Sequence, residues 1–174
     1  MSDKERLPVL KIVVAGDGAV GKTSLIRRYA TGKFEESRVM TIGVDFQTEV
    51  VRLGEREVKL SIWDVAGQEQ FGSFRQSFYR GARSVGLVYD VTRPETLDNL
   101  AKWREEILAI VPGVNMLVVG NKIDLPAKIE AGKGEKWAKS VRLPHIHTSA
   151  ANGDGVSKFF EGLGWLAIKK EPAE

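Results

Sequence analysis

Apolar residues along this chain come in short runs separated by polar, glycine-bearing gaps, and the period of the runs changes from one to the next. Residues 9–15, VLKIVVA, are Val- and Ile-rich and have the length of a buried strand. The gap at 16–21 ends that run, and residues 23–30 then set Leu25, Ile26 and Tyr29 on one side of a helix. In 58–63, Val58, Leu60 and Ile62 alternate with Lys59, Ser61 and Trp63, the period of two of a half-buried strand. The short gap around Gly54-Glu55 makes 44–53 and 58–63 a hairpin. VGLVY at 85–89 is a further buried-type strand. Leu97, Leu100, Trp103, Ile107, Leu108 and Val111 recur at helical spacing and stop at Pro112-Gly113. A strand at 114–119, a weaker helix at 133–141, a short strand at 145–148 and a last helix marked by Val156, Phe159, Phe160, Leu163 and Ala167 complete the pattern. Gly162 and Gly164 each cost that helix about 1 kcal/mol relative to Ala and argue against its regularity.

Strands alternating with helices predict an α/β fold, a six-stranded mixed sheet with about five flanking helices. The sheet is mostly parallel, with one antiparallel strand from the hairpin. A helix between 63 and 85 is left open. The predicted organisation is one domain over 9–169, an extension at 1–8 and a short tail at 170–174. Ligands in such sheets bind beyond the carboxyl ends of the strands, which is where the polar motifs fall.

Composition narrows the chemistry. The absence of cysteine excludes disulfides, thiolate metal sites, thiol catalysis, prenylation and palmitoylation. A net charge of +3 makes no case for nucleic acid. The densest basic set, Arg75, Arg80 and Arg83, reads as a solvated helix face. The polar start MSDKERLP has no apolar segment of the kind a signal peptide needs. The expected setting is cytoplasmic, with a monomeric protein that reaches membranes only through partners and not through a lipid.

Gly16-Asp17-Gly18-Ala19-Val20-Gly21-Lys22-Thr23 fits the phosphate-loop pattern in its required context, after a strand and before a helix. Its backbone N–H groups and the helix N-terminus suit phosphate oxygens. Lys22 supplies a point charge, and the Thr23 hydroxyl suits Mg²⁺. Asn121-Lys122-Ile123-Asp124 lies at the same sheet edge. The Asp124 carboxylate accepts from N1–H and the 2-amino group of guanine, a donor pair that adenine lacks. Thr148-Ser149-Ala150 follows the last strand and brings a backbone N–H toward guanine O6. Asp64-Val65-Ala66-Gly67-Gln68-Glu69 supplies a water-mediated metal contact at Asp64, a close approach to the γ-phosphate at Gly67, and a water-orienting amide at Gln68.

With these motifs in place the chain resembles a small GTPase of the Ras superfamily, and within it the Rab family. The likeness runs from Leu10 to about Leu166 through GDGAVGKTSL, TIGVDF, WDVAGQE, YRGA with VYDVT, NKID and TSA. It implies a phosphate-loop NTPase fold that binds GTP and GDP with Mg²⁺, hydrolyses GTP, and signals through two switch segments at about 34–45 and 64–80. It implies an exchange factor, a GTPase-activating protein and effectors as partners. Gly18, Ala19, Val20, Gly21, Lys22, Thr23 and Ser24 become the phosphate-binding run. Thr23, Thr41 and Asp64 become the metal set, Thr41 in the GTP state. Phe34, Asn121, Lys122, Asp124, Ser149, Ala150 and Ala151 surround the base. Gln68, Lys22 and Thr41 serve hydrolysis, and Phe46, Trp63 and Phe78 match the Rab aromatic triad that reads effectors. Gly18 together with Gln68 points to a protein that hydrolyses. The competing readings are a GTP-binding scaffold with negligible hydrolysis and another phosphate-loop nucleotidase.

Several positions depart from the family pattern. Val65 replaces a Thr. Ala151 replaces the Lys that packs on the base, which predicts weaker base affinity. Gln70 and Gly72 alter the start of the second switch, and IKKEPAE carries no lipidation Cys. Arg38-Val39-Met40-Thr41 matches the R-V-x-T run of heterotrimeric G-protein alpha subunits, where the Arg acts in cis on the transferring phosphate. Arg38 is therefore read either as a cis arginine finger or as an exposed, effector-facing Arg. Such an Arg raises turnover to about 10⁻² s⁻¹ from roughly 3–5 × 10⁻⁴ s⁻¹ for unaided Ras. His145 and His147 share one strand face, but with no third ligand evident they read as packing or solvent residues. Trp103, Trp137 and Trp165 read as core or groove packing, and Asp90 as structural.

Overall fold

Alternation decides which face of the sheet each strand residue covers. In β1 (Val9–Ala15), Leu10, Ile12 and Val14 enter one core while Val13 and Ala15 enter another. The computed structural model describes residues 6–34, 44–67 and 72–169. Along these, β1 is followed by α1 (Lys22–Thr31), β2 (Val44–Leu53), β3 (Arg56–Val65), α2 (Gly72–Gln76), β4 (Ser84–Asp90) and α3 (Pro94–Asp98). Then come α4 (Leu100–Ile110), β5 (Asn115–Asn121), α5 (Lys133–Ser140), β6 (His145–His147) and α6 (Val156–Lys169).

The strands form one six-stranded sheet in the order β2-β3-β1-β4-β5-β6. β2 and β3 are the antiparallel hairpin, and the other pairings are parallel. Leu25 and Ile26 of α1 and Phe159, Phe160 and Leu163 of α6 fill the core on one face. Leu97, Leu100, Trp103, Ile107 and Ala138, from α3, α4 and α5, fill the other. The predicted six-stranded mixed sheet and its flanking helices are thus present, and the helix left open before β4 is the short α2.

Several readings are revised or sharpened. The last helix is regular despite its glycines. Phe159, Phe160 and Leu163 are fully buried, each worth about 1.5–3 kcal/mol, more than the glycines cost. A Cβ on Gly164 would lie 3.0 Å from Leu53 Cδ1, and one on Gly162 3.2 Å from Leu117 Cδ2, so both glycines let α6 approach the sheet. Arg75 is no solvated residue but is 8% exposed, paired with Glu106. Trp165, read as core or groove packing, is 46% exposed and lies against Gly54 at the surface, not in the core. The predicted 97–111 helix begins earlier and divides at Asn99, whose φ of −75° and ψ of −13° keep α3 and α4 nearly continuous. Among the described residues no helix is long and apolar enough to cross a membrane.

Candidate functional site

Five parallel or hairpin strands deliver their carboxyl ends to one edge of the sheet. β1 runs into the 16–21 loop, which turns into α1. Gly16 at φ +144° passes so close to β4 that a Cβ there would meet the Val88 carbonyl at 2.2 Å. Gly21, at φ +99°, caps α1, and the first helical bond runs from Leu25 N–H to the Gly21 carbonyl. The N-terminus of α1, at Lys22, Thr23 and Ser24, therefore opens at this edge, and helix N-termini suit anionic oxygen. Lys22 is 6% exposed and donates through Nζ to the carbonyls of Gly16 at 2.9 Å and Asp17 at 2.7 Å. Burial pulls its pKa down to about 8, against the opposing pull of Asp64 and Asp17. The Lys22 ammonium is thus buried and held by two backbone carbonyls.

The Thr23 hydroxyl donates to Asp64 Oδ2, joining α1 to β3. Asp45 and Gln47 line the same cleft. Gly67 lies directly on the phosphate loop: a Cβ there would be 2.5 Å from Asp17 C, Gly16 O and Gly18 N. Only glycine allows this approach.

At the other end of the edge, β5 hands Asn121 and Lys122 back to the loop. Asn121 is 1% exposed, donates through Nδ2 to the Val20 carbonyl at 3.0 Å and accepts from Thr148 Oγ1 at 2.9 Å. Lys122 Nζ reaches the Ala19 carbonyl and Asp90 Oδ2, each at 2.9 Å. Ala19 and Lys122, the two ends of that contact, both hold left-handed backbone, at φ +62° and +70°. Such angles in non-glycine residues cost of order 1–3 kcal/mol and mark a functional turn. Asp124 Oδ1 accepts from Ser149 Oγ at 2.8 Å, and Ser149 and Ala150 are buried while Ala151 is partly exposed. Phe34 is 43% exposed after α1. Asp90 is structural as expected: its Oδ1 accepts from the Thr92 amide and hydroxyl.

Sequence reasoning missed a brace behind the loop. Asp17 accepts from Trp103 Nε1 at 2.8 Å and from Asn99 Nδ2 at 2.7 Å. Arg93 Nη1 donates to the Gly18 carbonyl at 3.0 Å. Arg75 lies 4.2 Å over the Trp103 ring and forms a two-pronged pair with Glu106 at 2.9 and 3.1 Å. Tyr79 Oη donates to the same carboxylate at 2.5 Å. Helical spacing marked Trp103 as a packing residue, and nothing in that pattern signals what its N–H reaches.

The aromatic triad assembles. Phe46 and Trp63 are directly paired across the hairpin with ring centroids 5.9 Å apart, and Trp63 lies 5.7 Å from Phe78. Phe74, 55% exposed and 5.2 Å from Phe78, adds a fourth ring, and Lys11 Nζ sits 3.9 Å over Trp63. Arg38, Thr41 and Gln68 lie outside the described residues. The histidine reading changes: the structure brings Glu135 of α5 to His145 and His147.

Residues 11–168 match the Ras family model. The chain is 41% identical over 155 residues to GTP-binding protein ypt1 of Schizosaccharomyces pombe, covering 87% of this chain and 76% of that protein. It is 38% identical over 164 residues to Ras-related protein SEC4 of Saccharomyces cerevisiae, covering 93% and 76%. To Ras-related protein Rab-1A of Dictyostelium discoideum it is 40% identical over 155 residues, covering 87% and 77%.

Proposed function

Because the chain belongs to the Ras family of small GTPases, with Rab-, Ypt- and Sec4-type relatives, we propose that it binds GTP and GDP with Mg²⁺ along the strand-end edge and hydrolyses GTP. The observation that carries this reading is the Asn121 bond to the Val20 carbonyl, which locks the base end of the edge to the phosphate end. One ligand with a guanine at one end and phosphates at the other spans both.

Thr23 and Asp64 fit the ion. A hydroxyl and a carboxylate already in mutual contact offer the all-oxygen donors that Mg²⁺ prefers. Held by Thr23 and Asp64, the ion would neutralise phosphate charge. Lys22 and the amides of the 18–24 run hold the phosphates. Thr41 joins the metal set in the GTP state, the Gly67 amide meets the γ-phosphate, and Gln68 orients water. Asp124 reads the guanine donors while Ser149 fixes its carboxylate, and Phe34 and Ala151 flank the base. In this reading Phe46, Trp63 and Phe78 face effectors. An exchange factor and an activating protein set the ratio of the two states in the cytoplasm.

The test compares nucleotides. GDP is expected to bind at least about a hundredfold more tightly than ADP, since adenine leaves Asp124 without donors. Asp124→Asn should lose guanine and gain xanthine, whose 2-carbonyl accepts from an amide. Single-turnover hydrolysis of GTP should be slow and should fall further in Gln68→Leu. Equal GDP and ADP affinity would overturn the guanine assignment. Undetectable turnover with an activating protein present would leave a GTP-binding scaffold.

A further inference from the structure

The sheet ends at β6, and α5 packs beside it. His145 and His147 alternate along β6 and so face the same way, while α5 presents Glu135 in its first turn. One ligand atom from each of the three residues lies within 4.8 Å of the other two. His147 Nε2 is 3.3 Å from Glu135 Oε1, and the two imidazole rings stand edge-on with centroids 4.7 Å apart. Ligands bonded to a tetrahedral ion at about 2.0–2.1 Å sit about 3.3 Å from one another. The Glu135–His147 separation already has that value.

The surroundings are hollowed to admit this cluster. Tyr89 Oη, on β4, lies 2.8 Å from His145 Nε2. A Cβ on Gly134 would lie 1.9 Å from Tyr89 Oη and 3.1 Å from His145 Nε2. A Cβ on Gly120 would lie 2.6 Å from Tyr89 Oη and 3.0 Å from His147 Cδ2. Glycines from two different elements thus leave space where any side chain would displace the rings.

We propose that Glu135, His145 and His147 form a binding site for a divalent first-row transition metal of the Zn²⁺ type, separate from the nucleotide edge. Two imidazole nitrogens and one carboxylate oxygen suit Zn²⁺ or Co²⁺ and not Mg²⁺, which takes oxygen ligands. Three protein ligands leave a fourth position for water or an outside group. Tyr89 Oη, beside His145, orients the ring. The site adjoins the base end of the nucleotide edge, since β6 continues into Thr148 and Ser149 and Gly120 immediately precedes Asn121.

The experiment uses the untagged, GDP-loaded full chain in excess Mg²⁺ after stripping transition metals. Co²⁺ is titrated in and followed by its visible absorption, then displaced with Zn²⁺. The chain has two histidines, so the imidazole nitrogen NMR spectrum reports on this cluster alone. The expected result is one Co²⁺ bound per chain, displaced by Zn²⁺, with both imidazole signals shifted. His147→Ala and Glu135→Gln should each weaken binding at least about tenfold while GDP affinity and metal-free melting temperature are retained, and His145→Ala should weaken binding as much. His147 and Glu135 are 44% and 45% exposed, so their variants test the site even where His145→Ala disturbs Tyr89 packing. No stoichiometric Co²⁺ band, imidazole signals unmoved by Zn²⁺, or binding untouched by the His147 and Glu135 variants would each overturn the proposal.

Discussion

Trp103 Nε1 donates to Asp17 Oδ1 at 2.8 Å, so a helix on one face of the sheet holds the phosphate loop through its second residue. The indole is 5% exposed, and its outer face carries the Arg75 guanidinium. A continuous path therefore runs from α2 through α4 to the loop.

Trp103→Phe keeps a ring and removes the N–H. A bond to a charged acceptor is worth about 1.5–3 kcal/mol, and Asn99 still holds the other Asp17 oxygen. The expected outcome is a loss of stability in that range in urea unfolding, with faster GDP release. Unchanged release from a destabilised protein would show that the brace supports the fold and not the loop.

Arg75, Glu106 and Tyr79 form the least exposed ionic network among the described pairs that α2 makes. Glu106→Ala leaves the guanidinium buried without its carboxylate and should cost about 3–5 kcal/mol. Replacing both Arg75 and Glu106 with apolar residues should recover much of that loss, because no charge remains to desolvate. A double-mutant cycle in denaturant measures the coupling, and additive losses would refute it.

Lys22 carries the pH dependence. Its folded-state pKa of about 8 lies below the ordinary lysine value of 10.5. The charged form is therefore penalised by folding, and nucleotide-free stability should rise as pH increases from about 8 to 10.5, where only the unfolded chain keeps that proton. Nucleotide binding should run the other way. Phosphates favour the ammonium, so above about pH 8 GDP binding takes up a proton and its affinity falls as pH rises. Calorimetry at pH 8.5 in buffers of different ionisation enthalpy measures the uptake, and a buffer-independent enthalpy would contradict it.

The two readings of Arg38 differ in what they predict for the hydrolysis rate. If it acts in cis on the transferring phosphate, Arg38→Ala should slow single-turnover GTP hydrolysis by about tenfold or more with GTP affinity kept. An equal rate would leave Arg38 as an effector-facing residue.

The strand-end edge was legible because its chemistry is local in sequence. The loop glycines, Lys22 and Thr23 fall within one turn, and the Asn121–Asp124 run needs only its strand to be placed. Arg75 was misread for the opposite reason: its partner Glu106 sits on another helix, and charge spacing along α2 says nothing about what covers it. The glycines of α6 argue against a regular helix because propensity is local, whereas the close approach of Gly164 to Leu53 is not.

By itself the sequence determined the order of the strands and of the longer helices, the phosphate-loop and Asn121–Asp124 motifs at one sheet edge, and the family. Each of these follows from periodicity or from motifs whose residues are neighbours along the chain. Tertiary structure alone decided that Trp103 and Asn99 hold Asp17, that Arg93 reaches Gly18, and that Glu135 completes a cluster with His145 and His147. These contacts join elements whose approach is set by packing on the two faces of the sheet, and no period along the chain records that approach.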